Sequence, residues 1–351
     1  MYASFLPMPY FFRMKINLHK IKDSNTVCLS ISVCCATLRT FTQNAQTVIL
    51  SIALICLFTI RAAAQQKTFF EVASVGAGYQ SSPTIDVPGQ TAVLYTSTVA
   101  KMPFVLKNGD IILAGATVQH HQMYRSADGL FAPEIIGRGR IGYSHAGVIA
   151  GFVHSIGDGA SLSLVAMPYI ASDFGDITSD DFRCEFVTLL SHKFNEVLTY
   201  KYGTMLAYSF AGPDLWPLLG LEWRPVSKSS VTILIPQFVR YKYQITPRAD
   251  VGISYQCQLA TYRMSDARES IYLEQQLCHV LLSAGIFLTK NLYLRIQGGH
   301  SIASYARFYR KDDLYDYKIA LWSNTKRHPL DAGYKNGLAA ELKISYLVPT
   351  N

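Results

Sequence analysis

From residue 69 to residue 348 the chain sustains no amphipathic helix. It repeats segments of 10–16 residues in which apolar residues alternate with small or polar ones. Period-two alternation gives a strand two unlike faces. In 198–210 one face carries Leu198, Tyr200, Tyr202, Thr204, Leu206, Tyr208 and Phe210; the other carries Thr199, Lys201, Gly203, Met205, Ala207 and Ser209. In 238–245, Val239, Tyr241, Tyr243 and Ile245 oppose Phe238, Arg240, Lys242 and Gln244. The same split sets Val251, Ile253, Tyr255, Cys257 and Leu259 against Gly252, Ser254, Gln256, Gln258 and Ala260. In 338–348, Leu338, Ala340, Leu342, Ile344, Tyr346 and Val348 oppose Ala339, Glu341, Lys343, Ser345 and Leu347.

A soluble sandwich also alternates, so length and composition decide. Strands of soluble domains peak near 5–6 residues. A membrane-crossing strand needs about 9–11, apolar outward and polar inward, with aromatic girdles at both interfaces. Only 16% of the residues are charged, with 22 Tyr, 18 Phe and 23 Gly, and the mean hydropathy is +0.16. Disordered, collagen-like and coiled-coil chains are excluded by this composition. Asn108-Gly109, between two apolar runs, predicts a type I′ hairpin. Gly157-Asp158-Gly159, Asn195-Glu196, Ser227-Lys228-Ser229 and Lys290-Asn291 mark further turns, and longer polar linkers fall at 124–138 and 173–181. Short turns alternating with long loops are the habit of outer-membrane barrels. The alternation of turn lengths weakens after residue 229. The expected fold is an all-β, antiparallel transmembrane barrel of about 12 strands, within 10–14.

The front of the chain reads as an address. Residues 47–60 form an apolar run of fourteen, closed by Arg61. That is short of the roughly 20 residues a spanning helix needs. Ala62 and Ala64 then make an A-x-A pattern, so cleavage is expected after Ala64. The basic region before the run is longer than a secretory signal requires, which fits a start downstream of Met1 or a true extension. Two parts follow: 1–64, an extension with its signal peptide, and 65–351, the barrel. The remaining 287 residues hold 26 basic and 23 acidic residues, a net charge of +3. The basic excess therefore sits mostly in the leader and is no argument for nucleic acid. Cys184, Cys257 and Cys278 remain, odd in number and far apart. They show no metal spacing. At most one pair could bridge in an oxidising compartment; they are expected to pack as small apolar residues, with no disulfide partner.

The stretch Trp216-Pro217-Leu218-Leu219-Gly220-Leu221-Glu222-Trp223-Arg224-Pro225, a short turn, then Val231-Thr232-Ile233-Leu234-Ile235-Pro236 carries a resemblance. A Gly-centred strand ending in Trp-x-Pro, with a hairpin partner ending in aliphatic-Pro, is similar to an uncharacterised outer-membrane β-barrel family of Gram-negative bacteria. The resemblance implies location in the cell outer membrane. It implies contact with outer-membrane lipid and lipopolysaccharide, and with the barrel-assembly machinery and periplasmic chaperones during export. It brings no activity and no catalytic residues. The chain departs from the barrel habit of a terminal aromatic, ending Tyr346-Leu347-Val348-Pro349-Thr350-Asn351. Proline cannot donate to a ladder, so Pro217, Pro225 and Pro236 are expected at strand ends or bulges. Gly139, Gly142, Gly147 and Gly151 are expected to relieve crowding in the wall.

No catalytic, cofactor-binding or metal residue is assigned. A lipid-modifying enzyme would need Ser and His together on the outer face. His154-Ser155 and His300-Ser301 are adjacent in sequence, so their side chains diverge, and no G-x-S-x-G occurs. Asp173, Asp176, Asp180 and Asp181 share one loop but lack an EF-hand spacing. His120-His121 cannot chelate from one strand face. Asp312, Asp313 and Asp316 with Lys311 and Lys318 read as a mixed-charge loop. Arg240, Lys242, Arg263 and Arg295 are read as lumen residues in ion pairs with Glu222, Glu274 and Glu341; as a cluster they would favour anions. The functional expectation is a porin-like narrow channel or a structural wall protein, not an enzyme. The alternatives are a membrane-embedded lipid-modifying enzyme and a soluble periplasmic β-protein.

Overall fold

The computed structural model describes residues 15–20, 27–32, 68–83, 90–125, 139–157, 159–226, 228–265, 271–320, 322–323, 325–330, 333–334 and 336–350. Two compact units divide the chain, Met1–Thr59 and Ile60–Asn351. In the first, β1 (Lys15–Lys20) and β2 (Val27–Ser32) pair antiparallel. The apolar run at 47–60 and the cleavage site after Ala64 lie outside the described residues.

The second unit runs β3 (Thr68–Pro83), β4 (Gln90–Val105), β5 (Ile111–Arg125), β6 (Arg140–Ser155), β7 (Ala160–Ser172), β8 (Phe182–Lys193), β9 (Leu198–Ser209), β10 (Gly212–Val226), β11 (Ser229–Ile235) and β12 (Phe238–Thr246). It continues β13 (Ala249–Met264), β14 (Ile271–Phe287), β15 (Leu292–Ser301), β16 (Tyr305–Arg310), β17 (Lys318–Ile319), β18 (Trp322–Ser323) and β19 (Leu338–Thr350). Pairing of β19 with β3 closes a 14-strand antiparallel barrel. Its wall is β3 to β15 plus β19; β16 continues β15 past a break, since both pair with β14. Fourteen is the top of the expected range rather than its centre. β11 and β12, at 7 and 9 residues, are briefer than the other wall strands.

The alternation places side chains as the sequence predicts. Tyr200, Tyr202, Leu206 and Tyr208 of β9 are exposed on the outer wall, as are Leu338, Leu342, Ile344 and Tyr346 of β19. Val75, Leu94, Ile112, Val118, Val148 and Leu164 continue that apolar face around β3 to β7. A soluble sandwich would have packed this face inside. The opposite face carries Lys201, Glu341 and Lys343, which bond to other lumen side chains. Closure leaves no edge strand in the barrel, the condition for strands in lipid.

The Asn108-Gly109 hairpin forms, but not as type I′. Gly109 alone is left-handed, at φ 87°. Its N–H donates to the Leu106 carbonyl at 3.0 Å, and Leu106 N–H donates to Asp110 at 2.8 Å. This is the tight turn followed by one left-handed glycine that hairpins use next most often. Asn108 Oδ1 accepts from Asp110 N–H at 3.2 Å, which satisfies the turn without a left-handed Asn. Pro225 lies in a register shift between Trp223 and Val226, and Pro236 sits in the β11–β12 turn, both as expected. Pro217 is neither at a strand end nor in a bulge. It lies inside β10, paired with Thr204 of β9, above the last β10–β11 pair at Leu219. The short hairpin makes a local edge there, which a proline tolerates. Among the four expected glycines, Gly147 is the tight one: a Cβ would stand 2.6 Å from Tyr169 Cβ and 2.8 Å from the Pro168 carbonyl.

The cysteine expectation is corrected. Cys257 and Cys278 are directly opposite in the β13–β14 register and form a disulfide, with Cα atoms 4.0 Å apart. Twenty-one residues separate them in sequence, but a hairpin register brings such residues face to face. Cys184 is free. A non-reducing digest is expected to yield one peptide pair linked through Cys257 and Cys278, with Cys184 alkylated; alkylation of all three without reductant would contradict the pairing.

The lumen, its plug and the outward polar cluster

Strand lengths set the shape of the site. β10 and β13 have 15 and 16 residues, against 7 and 9 in the hairpin between them. The hairpin stops opposite Leu219 and Gln256. Above it the wall dents inward. Arg263 of β13 pairs with Ser172 of β7, and Thr261 Oγ1 accepts from Phe210 N–H at 3.1 Å. Ile271, Tyr272, Leu273, Glu274 and Gln275 of β14 are all buried, so that strand is covered on both faces. One cover is an apolar cluster of Met123, Ile141, Tyr143 and Tyr169 with Tyr262 and Leu273. The other joins Phe210, Ala211, Tyr272, Tyr309 and Tyr315. The vacated wall position is taken by β17, parallel to β10 at Asp214 and Leu215, with β18 beside it. The strands therefore plug their own barrel at the long-loop end.

Two buried ion pairs fix the plug. Arg327 donates to Glu274 at 2.7 Å and to the Tyr272 hydroxyl at 2.8 Å, while Tyr305 donates to Glu274 at 2.9 Å. The Glu274 side chain is 3% exposed. Arg263 donates to both oxygens of Asp181, at 2.6 and 2.9 Å, and Asp181 is fully buried. Three of the four acids of the loop, Asp173, Asp180 and Asp181, are thus spent on protein partners. Asp173 accepts from Ser265 N–H and hydroxyl at 2.8 and 2.6 Å, and Asp180 accepts from Lys311. Among the described residues no three His, Cys, Asp or Glu side chains are grouped to hold a metal. The hydrogen bond and charge of Lys311 hold the Asp180 carboxyl below its usual range. That loop tie is present above the ordinary carboxylate pKa and fades as pH falls through the lowered value. Both groups are about half exposed, so the effect is modest. Protection of the 173–181 amides, as exchange relative to the intrinsic rate at each pH, is expected to fall in acid; equal protection at neutral and acid pH would contradict the tie.

Below the plug is a chamber of about 190 Å³ lined by Tyr95, Ser97, Gln119, His121, His279 and Glu341. Gln258 Nε2 bonds Gln119 Oε1 across it at 2.9 Å. His121 stacks on Tyr143 with ring centres 5.2 Å apart. Nearer the short-turn end the lumen is charged. Lys343 pairs with Glu71 at 3.0 Å, Lys242 with Asp250 at 3.0 Å and Lys201 with Glu222 at 2.6 Å. Arg240, Lys242 and Arg295 face the lumen as expected, but the expected pairs with Glu222, Glu274 and Glu341 do not form: Lys242 takes Asp250, and Glu222 takes Lys201. Arg263 belongs to the plug, and the expected acid Glu274 serves Arg327. The expectation missed Arg327, because nothing local ties it to a glutamate 53 residues earlier.

His120 and His121 diverge as expected. His120 faces outward, and its Nδ1 lies 2.8 Å from Ser144 Oγ; its Nε2 lies 3.2 Å from the Gln122 amide nitrogen. Tyr124 in turn donates to Gln122 Oε1 at 2.5 Å. This is an outward Ser/His pair, made by the β5–β6 register of His120 opposite Ser144. The two sequence-adjacent pairs do not form: His154 bonds Asp110 at 2.9 Å, and Ser301 Oγ bonds the backbone of Gly337.

Residues 144–317 match the model of the Domain of unknown function (DUF6268). No curated protein matches the chain. Among solved structures, the chain is similar to an outer membrane channel from Pseudomonas putida F1, at 9% identity and TM-score 0.43, over 82% of this chain and 100% of that one. It is also similar to a deltaS2 mutant of the TodX monoaromatic hydrocarbon channel, at 10% identity and TM-score 0.36, over 82% and 91%. A third is the translocator domain of the autotransporter NalP from Neisseria meningitidis, at 10% identity and TM-score 0.29, over 86% and 95%.

Proposed function

We propose that the chain is exported to the outer membrane of a Gram-negative bacterium, loses a signal segment after Ala64, and acts there as a narrow channel closed by its own plug. One observation carries the reading. The wall is apolar outside, while its lumen holds ion pairs and a polar chamber, which a merely structural wall does not need. Lipid and lipopolysaccharide contact the outer band, and periplasmic chaperones and the barrel-assembly machinery handle the chain during export. Planar-bilayer recording tests this. Small stepwise currents are expected from folded protein. A barrel that migrates as folded but passes no current under any voltage would return the protein to a structural role.

The outward Ser144 and His120 pair favours a second reading, an acyl hydrolase acting on lipid. It lacks two parts. His120 is oriented by an amide rather than a carboxylate. The flanking β5 and β6 form a continuous ladder, so their N–H groups are engaged and no oxyanion hole is presented. Fluorophosphonate probes are therefore expected to leave Ser144 unlabelled; labelling abolished by Ser144→Ala would establish the hydrolase instead.

A further inference from the structure

The charged belt of the lumen is unbalanced in a specific way. Apart from Glu222, which pairs with Lys201 and Arg224, Lys101, Arg240, Lys242, Arg295 and Lys343 face Glu71, Asp250 and Glu341, five basic groups against three acidic ones. The acids already have donors, Glu71 and Asp250 through both oxygens and Glu341 through Oε2. Glu71 accepts from Ser74, Lys343 and Ser345 at 3.1, 3.0 and 2.9 Å. Asp250 accepts from Lys242 at 3.0 Å and Tyr293 at 2.7 Å. Glu341 accepts from Tyr95 at 3.1 Å and Gln256 at 3.4 Å. Arg240 and Arg295 have no carboxylate within salt-bridge distance among the described residues. Arg240 sits close enough to feel the charge of Arg295 as well as those of Glu71 and Glu341, and Arg295 stands directly opposite Lys343 in the register.

Unused donors surround them. Arg295 Nε, Gln297 Nε2 and Ser254 Oγ are buried and bond to no described residue. Gln297 and Ser254 are each 4% exposed. Ser254 is the register partner of Arg240, and Gln297 lies two residues along β15 from Arg295, on the same lumen face. Like charges placed together and buried donors without acceptors are both unfavourable unless an acceptor of opposite charge joins them. A planar guanidinium matches a carboxylate or phosphate through paired N–H groups.

We infer that Arg240 and Arg295, with Gln297 and Ser254, form a lumen site for a small multi-oxygen anion. Resting on the channel reading, this makes the pore anion-preferring. Rings of basic side chains select anions in other pores.

Two measurements keep the site and the channel separable. In bilayers under a KCl gradient, the chloride-to-potassium permeability ratio is expected above one. It should fall to about one in Arg240→Gln/Arg295→Gln and below one in Arg240→Glu/Arg295→Glu. Separately, inorganic phosphate and acetate are each added at matched ionic strength to detergent-folded protein, and the temperature that unfolds the heat-modifiable band is read. Wild type is expected to be stabilised by phosphate over chloride, with the acetate arm telling phosphate from carboxylate preference. The gain should vanish in Arg240→Gln alone, which removes a lumen-exposed side chain and leaves the fold intact. Stabilisation lost in the variant without any current would keep the site and discard the channel. Current without anion preference, together with no stabilisation by either anion, would overturn the site and leave the channel.

Discussion

Replacing Arg327 with alanine is expected to open the long-loop end of the lumen. The change strands Glu274, whose side chain is 3% exposed, without its ion pair and takes a donor from Tyr272. Removing one member of a buried pair costs about 3–5 kcal/mol. Arg327 also lies over the rings of Tyr309 and Tyr315, 4.3 and 5.0 Å from their centres, so packing is lost with charge. The loss falls on the plug rather than on the wall, because the lower ladders of β14, β15 and β19 do not include Arg327. Larger currents or longer openings are expected, with the folded band intact on a gel. Restoring balance with Glu274→Gln in the same chain should recover part of the plug's stability. Unchanged conductance in Arg327→Ala would mean that the plug does not limit flow.

Val118→Arg should destabilise the barrel far more than Thr117→Arg. Val118 is 50% exposed at the middle of β5, on the apolar outer face. Its neighbour Thr117 points to the lumen. An outward arginine near the membrane midplane costs about 2–4 kcal/mol, whereas lumen substitutions mainly tune selectivity. Refolding titrations into lipid vesicles measure the difference. Equal effects from both changes would argue that the outer face of β5 does not meet lipid.

These outcomes also mark what the sequence could disclose. The faces of β9, β12, β13 and β19 were legible because alternation is local: each residue's side follows from its neighbour. Turn positions were legible for the same reason. The plug was not. It depends on β11 and β12 ending before their neighbours, and a strand's length relative to another strand appears only in the register. The disulfide was hidden likewise. Cys257 and Cys278 become partners only once the β13–β14 hairpin fixes which residues face each other. His120 and Ser144, 24 residues apart, meet through the β5–β6 register. The lumen arginines were half legible. Alternation put Arg240 and Arg295 inside, but only the bonding of Glu71, Asp250 and Glu341 to other donors leaves them without acidic partners.

Cysteine accessibility along β5 reads out which side chains meet lipid and which meet a wet lumen. With Cys184 replaced by serine, single cysteines are placed in turn at Ala116, Thr117, Val118 and Gln119 of the folded protein in lipid. Alternation is expected. A small charged thiol reagent in water should modify the lumen positions 117 and 119, while 116 and 118 react only with a reagent dissolved in the lipid. Modification of 116 and 118 from water, in protein that still migrates as a folded barrel, would contradict a lipid-facing wall around a wet lumen.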